Sequence, residues 1–190
     1  MITIRKAAGD EGVVLADVYV KAARSAYQAL MPPVITCDFT VEYQQTYWVK
    51  RLSQLAYEHF VAEVGGEVRG FVRIGPATTG PNNPGNLGEV HLLFVDPAAS
   101  RQGVGKALLK TAEQWLAEAG YQGAVLWVFS ANLAARQFYE HVGWKPVPRT
   151  ERWSPNLLDK GVRVRDCQYW QSLRDGAIST TRYPSKLITP

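Results

Sequence analysis

The sequence is poor in cysteine, in long apolar runs and in clustered charge. Its two cysteines, Cys37 and Cys167, lie far apart without metal-ligand spacing, and the three histidines add no ligand motif, so we expect no metal. No apolar run approaches the roughly 20 residues of a transmembrane helix, and the first residues lack the apolar core of a signal peptide. These absences predict a cytoplasmic protein with reduced cysteines and no membrane partner.

Charge is not gathered into patches. The net charge of +4 mildly favours an anionic ligand, and the densest basic cluster, Arg163-Val164-Arg165, alternates as a solvated strand would. Without a basic stripe or run, we expect no nucleic-acid partner. The 190 residues fit one domain with a sizeable core. We assign that domain to residues 1–172 and a C-terminal tail to the aperiodic residues 173–190.

The first half of the chain changes from a helical period to a period of two near residue 60. Gly65-Gly66 between two alternating segments is typical of a hairpin turn. The predicted elements are a strand at 2–5, a helix from its cap Asp10 to about Ala29 with Val13 and Val14 near its apolar face, a helix from its cap Thr40 through Leu52, hairpin strands at 60–64 and 68–74, and a mobile loop at 75–88.

The second half alternates strands and helices. The predicted elements are a strand at 90–95, a helix from about Gly103 to its stop at Gly120, a strand at 124–128, a helix capped by Ser130 or Asn132 and stopped by Gly143, and final strands from Trp144 and at 162–169. This alternation, with hairpins at both ends, predicts an α/β fold in which helices cover both faces of a mixed sheet.

The junction between the strand at 90–95 and the following helix carries two glycines, in Ser100-Arg101-Gln102-Gly103-Val104-Gly105-Lys106. Backbone N–H groups at a helix N-terminus bind phosphate, so the junction predicts a phosphorylated ligand. A nucleotide-triphosphatase loop is disfavoured, because Ser100 replaces its first glycine and Ala107 its Mg²⁺-binding hydroxyl. A dinucleotide fingerprint is disfavoured as well, because Leu108 replaces its third glycine.

A third pattern fits this junction. The segment resembles the Gln/Arg-x-x-Gly-x-Gly/Ala signature of the GNAT superfamily of acetyl-CoA-dependent N-acetyltransferases, with Ser100 departing at the first position. A second block, from Asn132 through Phe138-Tyr139 to Gly143-Trp144, resembles that family's Asn-x-x-Ala-x-x-Phe-Tyr-x-x-x-Gly-Phe/Trp segment. The resemblance spans residues 1–172. It implies a mixed, mostly antiparallel sheet of six to seven strands flanked by about four helices.

The resemblance also implies how acetyl-CoA is bound. The diphosphate would meet backbone N–H groups of Gln102, Gly103, Val104, Gly105 and Lys106, with added charge from Arg101 and Lys106, which are otherwise solvated residues at a helix start. The pantetheine arm would bond the backbone of Leu93, Phe94 and Val95 in a gap between two strands. The N–H of Leu93 would polarise the thioester carbonyl. Asn132 would bond the arm, cap its helix, or do both.

Three side chains are candidates for the chemistry. Glu89 matches the position of a strand glutamate that serves as the base in some family members, and burial is expected to raise its pKa towards neutrality. His91, two residues on along the same strand face, is the rival base or a water partner. Tyr139 aligns with the tyrosine that gives a proton or hydrogen bond to the departing thiolate. The family uses direct attack, without a covalent enzyme intermediate or a metal.

The acceptor is less defined. The resemblance places its site between the first two helices and the late hairpin, and predicts a wall of aromatic and apolar residues, some of which are core: Tyr27, Met31, Phe39, Tyr43 and Trp48. We expect transfer of acetyl to a primary amine of a small molecule or a peptide N-terminus. The alternatives are an acyl-CoA-binding regulator without turnover and an acyltransferase that uses a longer acyl-CoA. Enzymes of this kind often pair through late strands, which allows a homodimer.

Overall fold

One mixed sheet of seven strands carries the fold. The computed structural model describes residues 1–78, 86–158 and 160–173. The strands are β1 (Ile2–Lys6), β2 (Glu58–Val64), β3 (Glu67–Pro76), β4 (Leu87–Val95), β5 (Gly123–Phe129), β6 (Lys145–Trp153) and β7 (Arg165–Ser172). The helices are α1 (Gly12–Tyr27), α2 (Pro33–Thr36), α3 (Val41–Leu52), α4 (Val104–Glu118), α5 (Leu133–His141) and α6 (Pro155–Leu158).

The strand order is β1-β2-β3-β4-β5-β7-β6. Every neighbouring pair is antiparallel except β4 and β5, which are parallel and are joined through α4. A parallel pair needs such a crossover, whereas tight turns suffice for antiparallel ones. The predicted α/β class and mostly antiparallel sheet are therefore confirmed. Of the six described helices, four are longer than two turns and α2 and α6 are single turns.

Two cores lie on opposite faces of the sheet. On one face, α4 buries the apolar stripe that the sequence predicts, including Leu108, Ala112 and Leu116, against β2 to β5. On the other face, α1 and α3 bury Leu15 and Trp48 against Phe71. Strand residues alternate between these two cores, so each strand of the central sheet is covered on both sides.

The start of α1 differs from the prediction. The helix begins at Gly12 after Glu11 rather than after an Asp10 cap, and Val13 and Val14 are exposed instead of facing the core. The carboxylate of Glu11 accepts a hydrogen bond from Ala8 N at 2.7 Å and pairs with Arg5 at 2.6 Å. This ion pair ties the start of the helix to β1, a contact that local periodicity does not show. The face of α1 that packs on the sheet carries Leu15, Ala16 and Val18.

The other helix caps settle two predictions. The Thr40 hydroxyl accepts a bond from Tyr43 N at 3.3 Å, which confirms the predicted cap of α3. Asn132, rather than Ser130, caps α5, since its side-chain oxygen accepts from Ala135 N at 3.1 Å. Both caps satisfy an N–H group that the first helical turn leaves without a partner.

The predicted loop at 75–88 is shorter than expected, because β3 continues to Pro76 and β4 already begins at Leu87. Residues 79–85 of that loop lie outside the described residues, as does the predicted tail apart from Leu173. The N–H of Leu173 donates to Gln122 O at 3.1 Å, so this residue still belongs to the packed sheet. None of the helices in the described ranges is long and apolar enough to cross a bilayer.

Candidate active site

A gap opens in the middle of the sheet. Within the described residues, β4 pairs with β5 only over 87–90, and the two strands separate beyond that point. The N–H of Asp96, just after β4, donates to Arg69 O in β3. Because backbone directions alternate along a strand, the N–H groups of Leu93 and Val95 point the opposite way, into the gap. Strand-edge donors are thus presented where the resemblance places the pantetheine arm.

The glycine-containing loop follows directly. Asp96 accepts a bond from Ala98 N at 2.9 Å and pairs with Arg69 at 2.9 Å, which fixes the single 3-10 turn Pro97–Ala99 after β4. The backbone is then left-handed twice, at Arg101 (φ 63°) and at Gly103 (φ 86°). A non-glycine residue in this region is uncommon and is found often at functional sites. These two left-handed residues redirect the chain, so that α4 begins at Val104, directly after Gly103.

The N-terminus of α4 presents free donors. Its first backbone bond runs from Ala107 N to Gly103 O at 2.9 Å, so the N–H groups of Val104, Gly105 and Lys106 have no partner within the helix. Arg101 and Lys106 are exposed beside them. This arrangement of donors and positive charge fits a diphosphate, as the sequence predicts.

The two glycines of the loop serve different needs. A Cβ at Gly103 would meet no protein atom closer than Ile2 Cδ1 at 3.9 Å, so its glycine is required by the left-handed φ. A Cβ at Gly105 would lie 3.3 Å from Phe138 Cζ, so this glycine lets α5 pack closely against α4. Contact with α5 is a long-range feature, which the sequence motif does not show.

One cleft of about 1400 Å³ joins the loop, the gap and the space between α1 and α3. It is lined by every predicted site residue except Gln102, namely Glu89, Leu93, Phe94, Val95, Arg101, Gly103, Val104, Gly105, Lys106, Asn132 and Tyr139. Gln102 instead directs its amide to Ala98 O at 3.1 Å. The fold therefore brings together residues from three segments of the chain: β4, the loop into α4, and α5 with its cap. Over the described residues, no group of three His, Cys, Asp or Glu side chains could hold a metal ion.

Glu89 and His91 form a pair on the wall of this cleft. Glu89 Oε1 lies 3.3 Å from His91 Nδ1, and both side chains are less than 10% exposed. Glu89 Oε2 accepts bonds from Thr78 N at 2.9 Å and Thr78 Oγ1 at 3.0 Å, and His91 Nε2 lies 3.1 Å from Pro76 O. The carbonyl of Pro76 accepts the Nε2–H, which leaves Nδ1 facing the carboxylate.

The pKa of Glu89 is shifted in the direction opposite to the prediction. Burial acts to raise it, but the hydrogen bond and charge of His91 and the two bonds from Thr78 outweigh burial, so the pKa of Glu89 lies below its usual value. The predicted shift towards neutrality was wrong because strand periodicity shows burial but not hydrogen-bond donors. Glu89 is ionised at neutral pH.

A bulge in β4 shapes this pair. Arg73 is opposite Leu92 and Ile74 is opposite Val90, so His91 is an extra residue on β4. Val90 consequently packs in the α4 core while Leu92 packs in the α1 and α3 core, although a regular strand would put them on one face. The bulge re-aims His91 within the wall of the cleft. Simple alternation also places His91 near Glu89, so the contact between them agrees with the sequence prediction.

Tyr139 lies on α5 and lines the cleft at its centre. Its side chain is buried among Phe138, Trp144 and Tyr169, with ring centroids 5.3, 6.4 and 5.9 Å away. Burial, and then the hydroxyl of Tyr27, raise the pKa of Tyr139 well above its ordinary value. The phenol therefore keeps its proton throughout the physiological range, and its O–H can donate a hydrogen bond.

The predicted acceptor wall is only partly a surface. Trp48 is fully buried, and Met31 and Phe39 are core residues, so these three line the cleft mainly as its buried base. Tyr43, in contrast, is 55% exposed. The ring of Tyr27 packs edge-on against Phe129 at 5.1 Å. The cleft at this end is thus built on an aromatic base, as predicted, with fewer exposed rings than the sequence suggests.

Three arginines in the cleft were missed by the sequence analysis. Arg51 lies over the Tyr47 ring at 4.0 Å, Arg73 over Tyr57 at 3.7 Å, and Arg152 over Trp127 at 3.9 Å. One signal was present, since Arg73 interrupts an otherwise apolar run in β3 whose neighbours are fully buried. A charge in such a strand is rare without a partner or a ligand.

Comparisons with known proteins agree with this geometry. A model of the acetyltransferase (GNAT) family matches residues 20–144. The chain therefore belongs to the GNAT acetyltransferase family, as the two sequence motifs predict. A mycothiol acetyltransferase of Amycolatopsis mediterranei is 37% identical over 87 residues, which are 45% of this chain and 29% of that protein. Three curated relatives, this one included, are covered over only 29% to 54% of their own lengths.

Solved structures show the same fold. The PaiA N-acetyltransferase of Thermoplasma acidophilum, in complex with coenzyme A, has a TM-score of 0.68 and 19% identity over 90% of this chain and 99% of that chain. YncA of Salmonella typhimurium, with its cofactor acetyl-CoA, has a TM-score of 0.66 and 19% identity over 93% of this chain and 96% of that chain. At these identities the likeness defines the architecture only.

Proposed function

We propose that this protein is an N-acetyltransferase that moves acetyl from acetyl-CoA to a primary amine of a small molecule or a peptide N-terminus by direct attack. The observation that carries the proposal is the continuity of the cleft from the donors of α4 through the gap to Glu89. Solved neighbours bound to coenzyme A or acetyl-CoA support the identity of the first substrate. Family membership, together with a carboxylate at the far end of the gap, supports an amine as the acceptor.

The residues of the chain fit coenzyme A at two places. The free N–H groups of Val104, Gly105 and Lys106 would hold its diphosphate, and the edge of β4 beyond Val90 would hold the pantetheine arm by strand-like bonds. Asn132 caps α5 and also lines the cleft, so it can serve both of its predicted roles. Acetyl-CoA supplies an acetyl group activated as a thioester.

Glu89 and Leu93 would act on the two reactants. An ammonium has no lone pair, so the free amine is the form that attacks. As its N–C bond to the acetyl group forms, the nitrogen must lose a further proton, which the ionised Glu89, held by His91 and Thr78, accepts. The N–H of Leu93 stabilises the negative charge that develops on the carbonyl oxygen. The sheet already holds this N–H in its direction, so little reorganisation of the protein is needed when the charge develops.

Tyr139 would act on the leaving group. As the C–S bond breaks, the sulfur becomes a thiolate, and the phenol O–H donates a hydrogen bond to it. The raised pKa of Tyr139 keeps the proton largely on its own oxygen, so the thiolate is finally protonated from water while Glu89 releases its proton to water. The proton balance of the reaction then closes.

The direct test is turnover with a panel of amines. We expect purified protein to release CoA thiol from acetyl-CoA only when a primary amine is present, and calorimetry to show coenzyme A binding. Binding without turnover on any amine would instead favour a non-catalytic acyl-CoA-binding regulator. Faster reaction with propionyl- or succinyl-CoA would favour an acyltransferase for longer chains. Absence of both binding and turnover would refute the proposal.

Replacing Tyr139 with phenylalanine tests the role of the leaving-group donor. We expect Tyr139→Phe to lower kcat about 10- to 100-fold, the size of a lost hydrogen bond to a charged group, while the Kd for coenzyme A changes little. Tyr121→Phe, a half-buried tyrosine beyond the end of α4, is the matched control and should keep full turnover. Wild-type kcat in Tyr139→Phe would remove the tyrosine from the mechanism.

A further inference from the structure

A second pocket adjoins the cleft beyond Glu89. It encloses about 360 Å³ between α3 and β3, and its described lining consists of Tyr47, Lys50, Arg51, Gln54, Tyr57 and Arg73. Four of these residues also line the main cleft, so the two spaces are continuous. The lining therefore supplies three cationic side chains and no carboxylate.

Arg73 is the deepest of these cations. It is only 7% exposed, and one guanidinium nitrogen donates to Gln54 Oε1 at 2.6 Å. Its Nε is buried without a hydrogen-bond partner. Among the residues that the structure describes, neither Arg73 nor Arg51 forms an ion pair with a carboxylate. Buried charges are normally paired, so this pocket has positive charge in excess.

Neighbouring groups respond to that excess. Burial, and then the charge of Arg73, lower the pKa of Arg51 to about 10. Burial and Arg73 also lower the pKa of His59, which is opposite Arg73 on β2, to about 4. Like charges held together in a partly desolvated space destabilise one another. A bound anion would relieve this repulsion.

The pocket lies at the acceptor end of the cleft. Arg73 is opposite Leu92 in the middle of β4, and the phosphate loop begins only after Val95, so the donors proposed for the diphosphate lie beyond the end of this strand. The ring of Tyr57 connects the pocket to the reaction centre. It stacks under Arg73 at 3.7 Å and meets His91 edge-on at 5.0 Å. An anion beside Arg73 would thus be one aromatic ring away from the Glu89–His91 pair.

We propose that this pocket binds the carboxylate of the acceptor, and that the acceptor is a free amino acid. The inference rests on the proposed acetyl transfer and narrows its second substrate. A guanidinium presents two parallel N–H donors that match a carboxylate, and Arg51 and Arg73 approach the pocket from α3 and β3. The short span across Tyr57 favours an amine and a carboxylate on the same small molecule over a peptide N-terminus, whose nearest backbone carboxyl is already an amide.

The test uses matched acceptors that differ only at the carboxyl group: phenylalanine, phenylalaninamide and 2-phenylethylamine, with the corresponding leucine series. We expect kcat/KM, corrected for the fraction of free amine, to be about 10- to 100-fold higher for the amino acids, which corresponds to one or two charge-assisted bonds. Calorimetric titration of the coenzyme A-saturated protein with each amino acid gives a readout that does not depend on turnover.

Two variants link the preference to the pocket. Arg73→Gln and Arg51→Gln should each bring the ratio of amino acid to amide close to one and abolish amino acid binding in calorimetry. The two residues lie on different elements, so misfolding of one variant leaves the other. Arg163→Gln, an exposed arginine before β7, is the control and should keep the ratio.

The outcomes separate the two proposals. Equal reaction of carboxylate-free amines, or an unchanged ratio in both arginine variants, would overturn the carboxylate site while leaving acetyl transfer intact. Amino acid binding that depends on Arg73 and Arg51, without transfer to any amine, would support the site and refute the proposed function. Absence of amino acid binding to wild-type protein that binds coenzyme A would overturn the site alone.

Discussion

Replacement of Gly103 with valine is expected to weaken coenzyme A binding at least about 100-fold, with a corresponding loss of kcat/KM. The backbone at this position is left-handed, at φ 86°, where an L-residue costs about 1–2 kcal/mol and a β-branched one more. A side chain there meets no protein atom within 3.9 Å, so it would stand in the open mouth where the diphosphate is proposed to bind. The strain also turns the N–H groups of the first turn of α4 away from a common point.

The control for this variant lies at the other end of the same helix. Gly120 also has a left-handed φ, of 90°, and a Cβ there would meet nothing within 4 Å. Gly120→Val should therefore carry a similar strain and a similar fall in melting temperature, yet keep the Kd for coenzyme A in calorimetry. Equal losses of affinity in both variants would mean that strain in α4, and not the loop itself, controls binding.

The parts of the site that are continuous in the chain were predictable. The strand at 90–95, the glycine loop and the start of α4 follow one another, so their periods and glycines define the phosphate loop directly. Asn132 and Tyr139 are likewise seven residues apart on one helix. The opening of the gap between β4 and β5 came from the family resemblance, since no local pattern reports where two distant strands stop pairing.

The parts that depend on distant partners were not predictable. The bulge at His91 arises from the register between β3 and β4, and the lowered pKa of Glu89 comes from Thr78 and His91. The basic pocket is built by Arg51 on α3 and Arg73 on β3, which only the packing of that helix over the sheet brings together. Such features follow from tertiary contacts, which composition and periodicity do not encode locally.

Replacement of Glu89 with glutamine is expected to lower kcat/KM about 100- to 10,000-fold, the usual contribution of a general base. The amide keeps the shape of the side chain but has no ionised oxygen to receive the proton of the amine. The amide oxygen can keep the two bonds from Thr78 while the NH2 group donates to His91 Nδ1, so the fold should persist. Steady-state kinetics, together with an unchanged Kd for coenzyme A, measure the effect.

The role of Glu89 also predicts how kcat/KM changes with pH. Because the pKa of Glu89 is lowered, the carboxylate is ionised across an assay range of pH 6 to 9.5, and it is protonated only in more acidic solution. The rise of wild-type kcat/KM with pH should then follow deprotonation of the acceptor amine, with an apparent pKa of about 8 to 10. Glu89→Gln should lower the whole profile without moving that limb.

A matched variant separates the loss of a catalytic group from the loss of any buried carboxylate. Glu113 is also partly buried, and its carboxylate accepts a hydrogen bond from Trp144 Nε1 at 2.7 Å. It lies on α4 and does not line the cleft. Glu113→Gln should leave kcat/KM and its pH profile unchanged. If the wild type instead showed a limb near pH 6 to 7 that vanished only in Glu89→Gln, the carboxylate would titrate near neutrality, and the lowered pKa of Glu89 would be contradicted.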